Sequence, residues 1–320
     1  MIVGAVILCV AALWLGLCYY CFQYALGRKD KTVDIDSRSV VLGPLRDYRP
    51  QLAAGRRWIE AQERECVSIT SDDGLKLYAR LLSQERAKGT ILLFHGYHSS
   101  GEFDFSGAAK TYYDWGYNLL FADQRAHGMS EGKYIGYGVL ERKDCVLWSR
   151  YIAGRFGEEH VQFLGGMSMG STTVQMACGE KLPQGVRGVI ADCGFTSPWD
   201  IICSVVRADY HLPPAPIAYG MNFFARLLTG YDLRSYSTVE AVEHTKIPIL
   251  FLHGTSDTFV PCSMTQQSYD ACTSEKELVL VEGAEHGMSY LVDPERCLKT
   301  LKGFLDQYGG FSPAEIEKRT

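Results

Sequence analysis

The first 27 residues contain no charged side chain, and most are Ile, Val, Leu, Ala, Cys or aromatic. A helix of that length runs about 40 Å, more than the roughly 30 Å of a bilayer's hydrocarbon core. Trp14, Tyr19, Tyr20 and Tyr24 supply aromatic anchors, the tyrosines clustering toward the charged end, and Arg28, Lys29 and Lys31 follow at once. No Lys or Arg precedes the apolar run, and Cys21-Phe22-Gln23-Tyr24-Ala25 is a poor cleavage site, so residues 1–27 read as a retained single-pass anchor rather than a removed signal. Residues 28–60 read as a polar linker ending in a short amphipathic helix that carries Leu52, Trp58 and Ile59. Beyond it the pattern changes period. Residues 65–70 and 75–82 alternate about Ser71-Asp72-Asp73-Gly74, a hairpin signal. Short apolar runs then recur at 90–94, 119–122, 161–164, 186–191, 248–252 and 277–281. Helical stretches are expected near 104–115, 138–155, 169–180, 263–273 and 293–307. Strands alternating with helices imply an α/β domain, here 61–320, with a mostly parallel sheet covered on both faces.

Between Ser197 and about Thr245 the alternation breaks. An apolar stretch from Pro198 to Val206, the interruption His211-Leu212-Pro213-Pro214, and a second apolar stretch from Met221 to Leu228 place a cap insertion at 198–245.

Composition changes this picture little. Hydrophobic residues make up 47% and charged residues 22% of 320, enough for a sizeable core, and a net charge of −5 excludes an electrostatic nucleic-acid binder. Of eleven cysteines, eight lie beyond the apolar segment with no disulfide framework or zinc-type spacing. With the only nearby positive cluster just after the helix, the positive-inside rule puts the α/β domain on the cytoplasmic side, the extracytoplasmic side being the alternative.

The chemistry lies in the loops after the strands. Gly166-Met167-Ser168-Met169-Gly170 follows the run 161–164 and reads as G-x-S-x-G, a serine on a tight strand-to-helix turn. Asp257 follows the run 248–252, and His286 follows 277–281. Three residues of these types at three strand ends gather on the carboxyl edge of a parallel sheet, in the order nucleophile, acid, base. His95-Gly96-Tyr97-His98 follows 90–94 and places an oxyanion donor at the Tyr97 amide, with Met169 N–H as the second. His95 itself reads as a buried imidazole serving loop backbone groups. Asp192, after Val189-Ile190-Ala191, is the rival acid and ranks below Asp257. A metal reading of Asp123 with His127 lacks companion ligands, and a P-loop reading of 165–172 fails because Ser171 stands where lysine belongs.

The segments HGYHSSGE, FADQRAHGMSEG, FLGGMSMGS, IADCGFTSP, LFLHGTSDTFVP and VEGAEHG resemble the successive landmarks of prolyl-oligopeptidase-like α/β-hydrolases, in particular small membrane-anchored bacterial serine hydrolases. The resemblance covers roughly residues 60–308. It implies the α/β-hydrolase fold, a triad of Ser168, Asp257 and His286, oxyanion amides at Tyr97 and Met169, and a structural role for Asp123 and Arg125 behind the site. Peptidases of this group carry a large filtering domain before the hydrolase, for which this chain has no room.

The expected activity is therefore hydrolysis of carboxylic esters, acyl or lipid-like, through an acyl-enzyme on Ser168. It requires no metal and no organic cofactor, and its partners are a small acyl substrate and the membrane. Peptide or amide hydrolysis and acyl transfer to an alcohol use the same residues and stand as alternatives. A scaffold that has lost catalysis is expected to lack a triad member, and none is lacking. Oligomeric state is not legible. The anchor is expected to be dispensable, so that a chain starting near Lys31 still turns over a soluble ester.

Overall fold

The computed structural model describes residues 2–29, 34–37, 40–41 and 43–310; Met1, Lys31 and the last ten residues, on which parts of the anchor, charge-cluster and domain readings fall, lie outside the described residues. Helix α1 (Ile2–Leu26) leads, followed by a 3₁₀ turn (Pro44–Tyr48) and α2 (Arg49–Glu60). Strands β1 (Glu65–Thr70) and β2 (Lys76–Leu82) form the expected hairpin, and β3 (Gly89–Phe94) starts the alternating part. Then come α3 (Gly101–Asp104), α4 (Ala109–Asp114), β4 (Tyr117–Ala122), α5 (Glu141–Phe156), β5 (Gln162–Met167), α6 (Met169–Ala177) and β6 (Val186–Asp192). The break in alternation holds α7 (Pro198–Ala208), α8 (Pro214–Thr229) and α9 (Thr238–Val242). Strand β7 (Ile249–Gly254), α10 (Cys262–Ala271), β8 (Lys276–Val281), α11 (Ser289–Val292) and α12 (Pro294–Tyr308) complete the order.

The eight strands form one sheet in the order β1-β2-β4-β3-β5-β6-β7-β8, antiparallel at β1–β2 and β2–β4 and parallel thereafter. Every residue of β3, β4 and β7 is buried, as strands covered on both faces must be. Their side chains alternate between two cores. Ile91 and Leu93 join Ile59, Phe163 and Phe304 on one side, while Leu92 and Phe94 join Trp148, Val174 and Phe251 on the other.

Two helical expectations shift for local reasons. The stretch 104–115 is two short helices, because Ser100 caps α3 by accepting from Phe103 N–H and the Asp104 carboxylate turns back to the loop before it. The stretch expected from 138 becomes helical only at Glu141, whose buried carboxylate accepts from Gly136 and Gly138 N–H and holds those residues in a turn.

The apolar N-terminal helix has two parts. Its outer turns, among them Ile2, Val6, Leu8 and Leu13, expose large apolar side chains. Its last turns bury Cys18, Phe22 and Leu26, one stripe at i, i+4, i+8, against α8 and the loop around Tyr134. Gly220 of α8 permits this approach, since a Cβ there would collide with Cys18 Sγ. Gly27 then bridges Tyr134, Arg28 N–H donates to Lys133 O (2.9 Å), and the Arg28 guanidinium bonds the carbonyls of Gly128 and Ser130. The start of the expected linker is thus docked rather than free, and the end of α1 belongs to the same packed cluster as the cap helices.

Candidate active site

Parallel register aligns the carboxyl ends of the central strands. Phe94 pairs with Gly166, Met167 with Asp192, Asp192 with Leu252, and Gly254 with Val281. Ser168, Asp257 and His286 each follow one of these ends, so chain order and sheet order bring together three residues separated by as many as 118 positions.

Ser168 occupies the turn between β5 and α6 with φ 54° and ψ −117°, a conformation an L-residue adopts only under constraint. A side chain at Gly166 would strike the Gly170 carbonyl, and one at Gly170 would strike the Phe94 carbonyl, which is why small residues flank the serine. Ser168 N–H donates to Asp192 O at 2.9 Å, fixing the turn onto β6.

Ser168 Oγ lies 2.9 Å from His286 Nε2, and His286 Nδ1 lies 2.6 Å from Asp257 Oδ2. The arrangement sets the tautomer: Nδ1–H donates to the carboxylate, leaving Nε2 to accept from the serine hydroxyl. Asp257 also accepts from the amides of Phe259 (3.0 Å) and Val260 (2.9 Å) through Oδ1. His253 Nε2 is 3.1 Å from Oδ2, and its Nδ1 is 2.7 Å from Thr265 Oγ1. Burial works to raise the Asp257 pKa, but the bonds from His253 and His286 outweigh it and hold the carboxyl well below the usual carboxylate range. The aspartate is charged at any working pH.

The oxyanion turn is built from the other side. Gly96 N–H donates to Asp104 Oδ2 (2.6 Å) and Ser99 Oγ donates to Oδ1 (2.5 Å). His95 Nε2 accepts from Gln124 N–H, and His127 Nε2 accepts from His98 N–H while its Nδ1 faces Arg125 O. Both rings are thus spent on loop backbone, and Asp123 accepts from Met129 N–H, so Asp123 and His127 serve the loop rather than a metal. Arg125 bridges Asp144 and Asp73. With its neighbours so tied, the amide of Tyr97 is left without a protein acceptor, as is that of Met169 at the first turn of α6, among the described residues.

Asp192, the rival acid, is partly buried at the end of β6, and its side chain is bonded by Ser289 Oγ (3.3 Å), not by His286. Burial pushes its pKa up to about 6. Cys193 Sγ, Asp257 and His286 have donor atoms within 4.8 Å of one another, but burial drives the Cys193 thiol well above its ordinary range and His286 is committed to Asp257, so this trio lacks the thiolate a metal would need. Two residues that shape the site were not singled out from sequence as such. His253 stands four residues before Asp257 at the end of β7, and Asp104 lies eight residues after Gly96; spacing was the available signal for each, and only the folded loop gives it meaning.

Two cavities meet at Ser168. One, of about 510 Å³, runs beneath His286 past Asp104, Phe103, Tyr112 and Leu291. The other, of about 630 Å³, lies between α1 and the cap and is walled by Tyr24, Phe195, Ile202 and Met221.

The sheet order, the strained serine after β5 and the three strand-end residues define the α/β-hydrolase fold. Residues 85–210 match the family described as serine aminopeptidase, S33. The chain is similar to the uncharacterized protein YqkD of Bacillus subtilis, 29% identical over 77% of this chain and 81% of that one. It is 26% identical to the lysophosphatidylserine lipase ABHD12 of Danio rerio over 51% of this chain and 41% of the relative. Among solved structures, a Pyrococcus furiosus esterase, Pf2001, superposes with a TM-score of 0.64 at 21% identity, covering 89% of this chain and 99% of that one.

Proposed function

We propose that this protein is a membrane-anchored serine hydrolase that cleaves carboxylic esters with apolar acyl groups. The observation that carries the proposal is the continuous line from Asp257 through His286 to Ser168 at hydrogen-bond distances, with the Tyr97 and Met169 amides unspent beside it. Ser168 Oγ attacks the ester carbonyl as His286 Nε2 takes its proton, and charged Asp257 stabilises the imidazolium. The two amides receive the carbonyl oxygen as it becomes negative. Collapse expels the alcohol, which takes the proton from His286. Water, deprotonated by the same imidazole, then attacks the acyl-enzyme and releases the acid and Ser168.

Ester rather than peptide substrates are favoured by the largely aliphatic and aromatic walls of both cavities, and by relatives named as a lipase and as esterases. Helix α1 supplies the span, and the cationic Arg28 and Lys29 at its end favour a cytoplasmic catalytic domain. The test is labelling of the full-length chain with a fluorophosphonate, followed by turnover of p-nitrophenyl esters and of aminoacyl and peptidyl amides. Labelling at Ser168 with esters preferred is expected. Amides turned over faster than esters would replace this reading with the peptidase one. Protease treatment of intact cells should spare the domain; its digestion would place it outside.

A further inference from the structure

The cavity on the cap side of Ser168 has α1 itself as a wall. Leu17, Tyr20, Cys21 and Tyr24 line it, a stripe at i, i+3, i+4, i+7 that adjoins the stripe docking α1 onto α8. The inner wall, where the cavity reaches Ser168, is buried and apolar: Phe195, Ile201, Ile202, Val206 and Met221. Its outer lining is different. Tyr20 and Leu17 of α1 and Tyr210 and Leu212 after α7 line the same cavity yet are exposed, so the mouth opens between α1 and the α7–α8 turn. That mouth sits on the turns that follow the exposed apolar segment Ile2–Leu13. Those residues rise only about 18 Å against a hydrocarbon core of roughly 30 Å, so a bilayer crossed by α1 also takes in the turns that bear the mouth and their tyrosines. Exposed Phe223 and Leu227 on α8 extend the apolar surface beside it, with Phe224 packed edge-on against Tyr19.

Resting on the hydrolase reading above, we propose that this cavity holds the long acyl chain of a membrane-resident ester lipid, which reaches Ser168 from the bilayer along α1 through that mouth. The anchor is then part of the substrate site. An aqueous short-chain ester gains no binding from the α1 side chains that line the cavity or from its mouth, whereas a long chain in the cavity gains binding with each methylene it buries, about fourfold per CH₂ until the space is filled.

The experiment uses the full-length chain, in detergent with p-nitrophenyl esters from butyrate to palmitate, and in phosphatidylcholine vesicles carrying a long-chain monoacylglycerol. For the wild-type chain kcat/KM should climb with chain length. Cys21→Trp and Leu17→Trp, which fill the cavity from the α1 side, should lower the palmitate-to-butyrate ratio at least tenfold, while Leu13→Trp on the exposed face should leave that ratio as it is. Leu212→Asp at the rim should depress turnover of the vesicle-borne lipid, relative to butyrate, at least fivefold. Fluorophosphonate labelling of each variant reports that Ser168 is intact. Labelled Cys21→Trp and Leu17→Trp chains with an unchanged ratio would overturn the cavity assignment, and an unaffected vesicle rate in Leu212→Asp would overturn entry from the bilayer, in both cases with the hydrolase reading standing. A wild-type chain that does not label at Ser168 would overturn both.

Discussion

The hydroxyl of Tyr97 donates to the carbonyl of Ala25 at 2.8 Å, and that of Tyr137 joins it at 3.0 Å. Carbonyls in the last turn of a helix lack partners within the helix, so these tyrosines cap the end of α1. Tyr97 is also the residue whose amide is proposed to bind the oxyanion. Burial lifts its phenol to about 12, keeping it a neutral donor. One residue thereby couples the N-terminal helix to the catalytic turn. Removing residues 1–30 should therefore do more than release the protein from membranes. It uncovers the faces of α8 and the Tyr134 loop that Cys18, Phe22 and Leu26 cover, and unties the Tyr97 side chain. Turnover of a soluble acetate ester should drop at least tenfold in such a chain, while one beginning at Leu15 keeps most of it. Equal activity in the two would show that α1 is only a tether. The sequence-based expectation, that a chain starting near Lys31 suffices, is the other outcome of the same measurement.

For the triad, Ser168→Ala or His286→Ala should cut ester turnover by about 10⁴ to 10⁶ with far-UV circular dichroism unchanged. Asp257→Asn should lose about 10³ to 10⁴, because an amide in place of the carboxylate favours the wrong imidazole tautomer. Asp192→Asn should stay within tenfold of the parent. A reversal of the two aspartate results would move the acid to β6.

His253 shares the Oδ2 oxygen of Asp257 with His286. It touches no reacting atom and acts through the carboxylate, so it is a positioning residue. His253→Ala should lower kcat ten- to hundredfold with little change in KM. It should also shift the acid limb of the kcat/KM profile upward, since a carboxylate with one donor fewer holds the His286 proton more tightly. Loss of stability with an unmoved pH profile would leave His253 a packing role alone.

How much of this was legible follows from what kind of physics wrote it. Period-two and unbroken apolar runs located all eight strands, because a strand buried on both faces has nowhere to put a polar residue. The elbow was readable because Gly166 and Gly170 are demanded by backbone collisions that any such turn must avoid. Helix starts were less legible where a side chain overrode propensity, as Glu141 and Asp104 do by accepting loop amides. The docking of α1 was not legible at all. A segment apolar on every side shows no stripe, so nothing in the run from Ile2 to Leu26 marks Cys18, Phe22 and Leu26 as the face that meets α8. Nor did the Arg28 bonds to the 128–133 loop leave a local signal, being made 100 and more residues away.

Asp192 gives the protein a pH dependence of its own. It lies partly buried in the wall of the smaller cavity with one serine donor, and desolvation raises its pKa to about 6, the nearby His253 and His286 working the other way. An unfolded aspartate titrates near 3.9. Between these values the folded chain binds the proton more readily than the unfolded one, so this group's contribution is fully present below about pH 4. It is lost as pH rises through about 6, at a cost on the order of 2–3 kcal/mol by pH 8. Asn in its place carries no charge to desolvate. Asp192→Asn should therefore raise Tm relative to the parent at pH 8, and the advantage should shrink or vanish at pH 4.5, measured by calorimetry in matched ionic strength. An equal difference at both pH values would mean that Asp192 is already neutral, or already solvated, throughout the range, and that burial does not govern it.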